Sequence, residues 1–356
     1  MLTPRERVLK ALNFELPDRV PVFNSFTPEV EQALAEYLGC SKDEVGVKIG
    51  NDVVRVAFDP PVGFETLVLE DGSFYDEWGI RYQKIGYYYE IVEHPLASLT
   101  EEAVLKYSFP DPLASGRLER AKELIRRYKE THAIMGFLGS TNFEPTWYLV
   151  GFEKTLVELQ RDNPLIDYLL DGILQFFMAI GKQMVALGVD LIMCGDDVGT
   201  QRGMLISPSL WRRKLKPRLE KLVRSFKEVN PRVKVVYHSD GNILPIIPDL
   251  IEIEIDVLNP VQPKCMDPAE VKKLYGDRLS FFGTIDEQET LPFGSVNEVR
   301  KEVRERIATV GYNGGLILGA THNIQPDTPL RNIFALYDEV RNNTFSGRSV
   351  DSFSRR

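Results

Sequence analysis

The chain is poor in thiols and imidazoles: 356 residues hold three Cys and four His. Cys40, Cys194 and Cys265 show no tight pairing pattern, which excludes a disulfide-stapled scaffold. No run of about 18 apolar residues is present, so no membrane span is expected. The first sixteen residues mix charge with apolar side chains and lack the apolar stretch of a targeting signal. Basic charge is also short. Lys and Arg number 43 against 52 Asp and Glu, a net charge of −9. That balance argues against a nucleic-acid or anionic-membrane partner, either of which needs a basic face. The expectation is a cytoplasmic protein in a reducing compartment, acting on a small molecule.

What is present is a regular alternation. Hydrophobic residues make up 43% of the chain, enough for a large core. Thr3 and Pro4 open a helix pattern, and Pro28–Leu38 carries a second. Eight apolar or β-branched runs read as strands: 20–26, 52–58, 133–139, 189–194, 233–238, 255–258, 279–283 and 315–319. Helical patterns separate the later ones, at 151–160, 164–187, 208–229, 244–251, 268–274, 296–309 and 329–341. Eight βα units predict an α/β fold, a (β/α)8 TIM barrel with N-terminal helices. The competing reading is an open, doubly wound sheet. No GxGxxG follows the first strand, which speaks against its dinucleotide-binding form. Short β-like runs at 67–69, 79–83 and 87–92, split by Asp71-Gly72 and Gly86, predict an antiparallel hairpin insertion over about 64–93. A single domain is expected over 1–341, followed by a disordered, Ser-, Asn- and Arg-rich tail at 342–356.

A barrel builds its site at the C-terminal strand ends, so polar residues just after each apolar run are the candidates. Asn142, Glu144 and Trp147 follow the third run; Asp196, Asp197 and Gln201 follow the fourth. His238 and Asp240 close the fifth, and Cys265 follows the sixth. Asp286 follows the seventh, His322 the eighth and Asp59 the second. Imidazole, thiolate and carboxylate are ordinary zinc ligands. His238, Cys265 and His322 are therefore the candidate metal set. The bland alternative is that each His bonds a neighbouring carbonyl and Cys265 is a small buried hydrophobe. Asp196, Asp197 and Asp286 are candidate catalytic carboxylates. Equally, one acid of the 196–197 pair could cap the next helix or pair with Arg202. Asn142, Glu144, Trp147, Gln201 and Asp59 complete the expected substrate wall. This mouth counts many acids with Arg202 the nearest clear cation, which points to a neutral or cationic substrate and to Trp147 as a wall for an ammonium group.

Ordered blocks along nearly the whole chain resemble the uroporphyrinogen decarboxylase superfamily, which includes cobalamin-linked methyltransferases. They are Thr3–Val8, Pro17–Val22, Gly195–Gly203, His238–Asn242, Asn259–Pro263, Met266–Pro268, Gly283–Asp286 and His322–Pro326. The resemblance implies a (β/α)8 barrel, which agrees with the strand count. The decarboxylase branch carries Arg-Gln-Ala-Gly-Arg near the first strand, where this chain has Val22–Thr27 without any Arg. Its eight-carboxylate substrate calls for many fork-shaped cations. The methyltransferase branch holds zinc with a His-x-Cys pair and a later Cys. Here His238 matches, Asp240 stands where the first Cys would be, and His322 where the later Cys aligns. Such a donor set is harder than a thiolate-rich one and suits an oxygen or nitrogen substrate. By that resemblance the expected activity is zinc-assisted methyl transfer between a small molecule and a corrinoid on a partner protein. The alternatives are uroporphyrinogen decarboxylation, with Asp59 as the strand-end acid, and a barrel that binds a ligand or corrinoid protein without chemistry. Family members often form homodimers; no interface stripe stands out in this sequence.

Overall fold

A computed structural model describes residues 1–86 and 88–345. Seven parallel strands form one curled sheet, here β1 (Val53–Ala57), β2 (Ala133–Ser140), β3 (Leu191–Gly195), β4 (Lys234–His238), β5 (Val257–Asn259), β6 (Ser280–Phe282) and β7 (Leu316–Ile317), each paired with the next. The run 20–26 closes the circle without forming a ladder strand. It touches β7 and its extension through single parallel bridges, Val22 to Leu318 and Phe26 to Ile324. The reason is local. Pro21 has no N–H to give, although its carbonyl accepts from Leu318 at 2.8 Å. On the other side, side chains replace ladder bonds: Val22 N–H donates to Asp52 Oδ2 at 2.8 Å, and Asn24 N–H to Asn51 Oδ1 at 3.0 Å. The result is a (β/α)8-type barrel with its first segment stitched in by side chains.

Register sorts the side chains by parity. Val53, Met135, Leu191, Met193, Val236 and Val257 belong to one apolar cluster inside the barrel, and Val8 and Leu12 join it. The first helix, Pro4–Leu12, thus plugs the bottom of the barrel; Thr3 and Glu6 form its capping box. A larger cluster fills the space between the sheet and the outer helices.

Helix Pro164–Ala186 is long and apolar enough to cross a membrane by composition, with mean hydropathy 1.3. Its Leu169, Leu170, Ile173, Phe176 and Ile180 are buried in the core between barrel and helices. The expected helix over 208–229 is two helices, Pro208–Lys214 and Lys216–Val229, that meet at Leu215 just before Pro217. The insertion is a four-stranded antiparallel sheet (Leu67–Val68, Phe74–Tyr75, Arg81–Ile85, Tyr88–Glu93), one strand more than the sequence suggested. Tyr87, part of the last expected run, lies outside the described residues. The chain also stays ordered past the expected start of the tail. Thr344 bridges Arg19, and Phe345 is buried with its N–H on Asp18 O at 2.8 Å. The remainder of that tail, 346–356, lies outside the described residues.

Near the plugged end, Lys272 is buried against Phe281 and Tyr312, and its ammonium donates to Gly314 O at 3.0 Å. Burial pulls it down to about 8. The folded chain therefore sheds this proton earlier than the unfolded chain does. Between pH 8 and 10.5 the unfolded state holds more protons, so stability rises with pH across that window. Urea titrations at pH 7.5 and 10 should show the wild type gaining on Lys272→Met at the higher pH. An unchanged difference would contradict the buried-ammonium assignment.

Candidate functional site

The C-terminal end of the barrel holds a cavity of about 270 Å³. Three glycines let its rim close tightly. A Cβ at Gly195 would collide with the His238 backbone, and one at Gly199 with the Asp240 carbonyl. Gly241 has φ +83°, and a Cβ there would meet Gly199 and Thr200. The loops after β3 and β4 therefore touch backbone to backbone, with Asn242 N–H on Thr200 O at 2.8 Å. That contact brings Asp197 to Asp240, whose N–H donates to Asp197 Oδ1 at 2.7 Å.

His238 stands beside them at the end of β4. Its Nδ1 lies 2.6 Å from Asn259 Oδ1. Asn259 uses its amide N–H₂ on Phe282 O at 3.0 Å, so its oxygen is left to accept. Nδ1 therefore carries the proton, and Nε2 faces Asp197 Oδ1 at 3.6 Å. Asp197, His238 and Asp240 each offer one ligand atom within 4.8 Å of the others. Asp240 Oδ1 is buried with no partner among the described residues. Burial pulls the His238 imidazole down, but the charges of Asp240 and Asp197 outweigh it and raise its pKa overall. One imidazole and two carboxylates, one of them with an orphaned oxygen, fit a divalent cation.

Glu144 forms the next layer. Its carboxylate accepts from Ser140 Oγ at 2.7 Å, Tyr148 Oη at 2.9 Å and Asp197 N–H at 2.8 Å. Burial, and then the charge of Asp197, push its pKa up. Tyr148 is itself held by His94, whose Nδ1 is 2.8 Å from the Tyr148 carbonyl.

The expected site residues divide cleanly. Glu144, Asp197, His238 and His322 line the cavity; Asp240 meets Asp197 and His238 there but lines a neighbouring groove that also takes His322. The His322 ring centroid is 6.5 Å from that of His238, outside the tight three-residue group. Asp196 points away: it is buried, and its Oδ1 takes the N–H groups of Asn142 and Glu144 at the start of helix Phe143–Val150. Asn142 spends its side chain on Leu170 O at 2.8 Å behind the wall. Trp147 packs on Tyr148 and Phe152. Gln201 is exposed on the turn between Thr200 and Gly203. Asp59 is tied through its backbone to Arg117. Cys265 Sγ sits 3.5 Å from Gln262 Oε1 and does not join the three-residue group. Asp286 closes a turn on Gln288 N–H at 2.9 Å and lines a different groove. None of Asp59, Asp196 or Asp286 lines the cavity, so its wall is less acidic than the strand-end count implied.

Asn259 follows the sixth run and Tyr148 stands near the expected mouth, whereas Arg55 was not singled out by reading strand ends. Arg55 sits inside β1, where a lone charge in the run Val53-Val54-Arg55-Val56 shares the inward parity of Val53.

A parallel barrel with its polar group at the C-terminal strand ends places the chain among barrel proteins that carry their chemistry at that rim. It belongs to the uroporphyrinogen decarboxylase (URO-D) family, whose model matches residues 85–343. A methylcobamide:CoM methyltransferase of Methanosarcina barkeri is 33% identical over 177 residues, 49% of this chain and 48% of that relative. The match thus spans about half of the methyltransferase's length. A uroporphyrinogen decarboxylase of Rickettsia massiliae is 23% identical over 298 residues, 81% of this chain and 80% of the relative. A solved methyltransferase from Methanosarcina mazei shares the fold, with TM-score 0.66, 24% identity, and coverage of 96% of this chain and 99% of that one.

Proposed function

We propose that this barrel is an enzyme that moves a methyl group between a small substrate and a corrinoid carried by a partner protein. The observation that carries the reading is the Asp197/His238/Asp240 group opening onto a cavity of about 270 Å³. The likeness to a methylcobamide-using relative over half its length supports it. Zinc is the fitting ion, held by Asp197, His238 and Asp240, with His322 on the facing wall. When bound, it would act as a Lewis acid on the heteroatom that carries or receives the methyl group. The chain's own residues do the rest. Asn259 fixes the His238 tautomer. Glu144, with its raised pKa, and the Tyr148 hydroxyl hold a proton next to Asp197. Tetrapyrrole decarboxylation fits less well, because Arg55 is the single guanidinium lining the cavity among the described residues while the substrate brings eight carboxylates.

Anaerobic incubation of the zinc-loaded chain with methylcobalamin and small acceptors, read from the corrinoid spectrum, tests the proposal. Demethylation that needs both zinc and chain supports it. Coproporphyrinogen formed from uroporphyrinogen, with an unchanged corrinoid spectrum, would replace it with decarboxylation. Silence in both assays would leave a binding barrel. Asn259→Ala should lower zinc affinity about ten- to hundredfold, the usual effect of removing the partner that orients a ligand histidine. Chelator competition measures this, and an unchanged affinity would show that Asn259 does not set the tautomer.

A further inference from the structure

Arg55 is the charged residue of the cavity that the His238 group leaves unused. Its side chain lies across the Phe137 ring, guanidinium carbon 4.9 Å from the centroid. It makes no hydrogen bond or ion pair among the described residues. Nearby arginines are spent on structure: Arg7 and Arg19 on Asp52, and Arg117 on Glu77. Arg55 is open to the cavity, yet surrounding protein desolvates it enough to lower its pKa, with Glu31 offsetting this only in part. Arginine cannot escape that cost by losing its proton. A desolvated guanidinium without a counter-ion is an expensive thing to keep, and a bound anion would repay it.

We propose that Arg55 anchors a carboxylate on the substrate, so that the molecule is a small monoacid lying between Arg55 and the His238 group. The charge count limits the anion. Apart from histidine, Arg55 is the one cationic side chain among the described residues that line the cavity, so one carboxylate has one guanidinium to pair with. Shape limits it too. A guanidinium offers two parallel N–H donors, which suits a planar carboxylate taken in two bonds. The neutral or cationic preference read from the sequence gives way here to an acid. What the far end of that acid undergoes rests on the methyl-transfer reading; the anchor itself does not.

Calorimetric titration of the zinc-loaded chain with matched probes tests the anchor. The pairs are methoxyacetate with methoxyacetamide, and 3-(methylthio)propanoate with its amide. Each acid should bind at least about tenfold more tightly than its amide. Arg55→Leu should erase that ratio, and Arg55→Lys should keep part of it. If Arg55→Leu fails to fold, Arg55→Gln serves the same comparison. Equal binding of acid and amide, no binding of either acid at millimolar concentration, a preference that survives Arg55→Leu, or tighter binding of tetramethylammonium would each overturn the anchor. The methylcobalamin assay separates the two ideas. Acid-selective binding without demethylation keeps the anchor and removes the reaction; demethylation without acid preference does the reverse.

Discussion

His238→Ala is expected to lose zinc on dialysis, whereas the wild type retains about one ion per chain. Three ligand atoms meet within 4.8 Å, and the imidazole is the only nitrogen among them. Without it, two carboxylates remain, and their mutual repulsion has no ordered imidazole beside it. Removing even a group that orients a ligand costs about ten- to hundredfold in affinity, so removing the ligand should cost more. Thermal unfolding gives a second readout. An ion that binds the folded state stabilises it by about 2.7 kcal/mol at a hundredfold excess over Kd. Zinc should therefore raise the Tm of the wild type and leave that of His238→Ala where it was. Cys265→Ser should behave as the wild type, because its sulfur bonds Gln262 outside the group. His322→Ala should retain zinc more firmly than His238→Ala, with its ring 6.5 Å away. Retained zinc in His238→Ala, or zinc lost from Cys265→Ser, would move the site elsewhere.

The strand pattern was readable because a barrel strand buried on both faces is a short apolar run, as β3, β5 and β6 are. The run 20–26 was readable as an element but not as a bridged one, since only the neighbouring Asn51 and Asp52 side chains show how a strand with Pro21 is held. Of the strand-end candidates, His238, Asp197, Glu144 and His322 line the cavity. The strand-end rule could not by itself choose between Asp196 and Asp197. Parity does choose: Leu191 and Met193 point inward, Asp197 keeps their phase, and Asp196 follows Ile192 and Cys194 outward to a helix start. Asp286 and Asp59 share the strand-end position yet cap or brace loops, and nothing in residue type separates those tasks. Arg55 escaped because it lies in the middle of β1, paired with Met135, and not after the strand's end.

Asp52→Ala is expected to destabilise the chain by about 3–5 kcal/mol, the cost of stripping one partner from a buried ion pair. Asp52 is fully buried. Its carboxylate takes Arg7 Nη1 at 2.6 Å, Arg19 Nη1 at 2.8 Å and Val22 N–H at 2.8 Å. Its own N–H returns to Val22 O at 2.8 Å. This one residue therefore joins the bridged segment to β1 where no ladder exists. Alanine would leave a buried Arg7 with Asp18 alone, Arg19 without its acid and Val22 with an unpaired donor. Urea unfolding monitored by circular dichroism measures the loss, and hydrogen exchange at Val22 should accelerate locally. The penalty arises from the stranded cations more than from lost attraction. Arg7→Met combined with Asp52→Leu should then recover part of it, giving a double variant more stable than the sum of the singles. The seam also reaches the site, because the same segment supplies Phe23, Asn24 and Ser25 to the cavity, and Ser25 bonds Asn323 on the neighbouring loop. Asp52→Ala should therefore weaken small-acid binding even though Asp52 touches no ligand. A variant within about 1 kcal/mol of the wild type would show that the ladder gap is held by packing and that the charges are incidental.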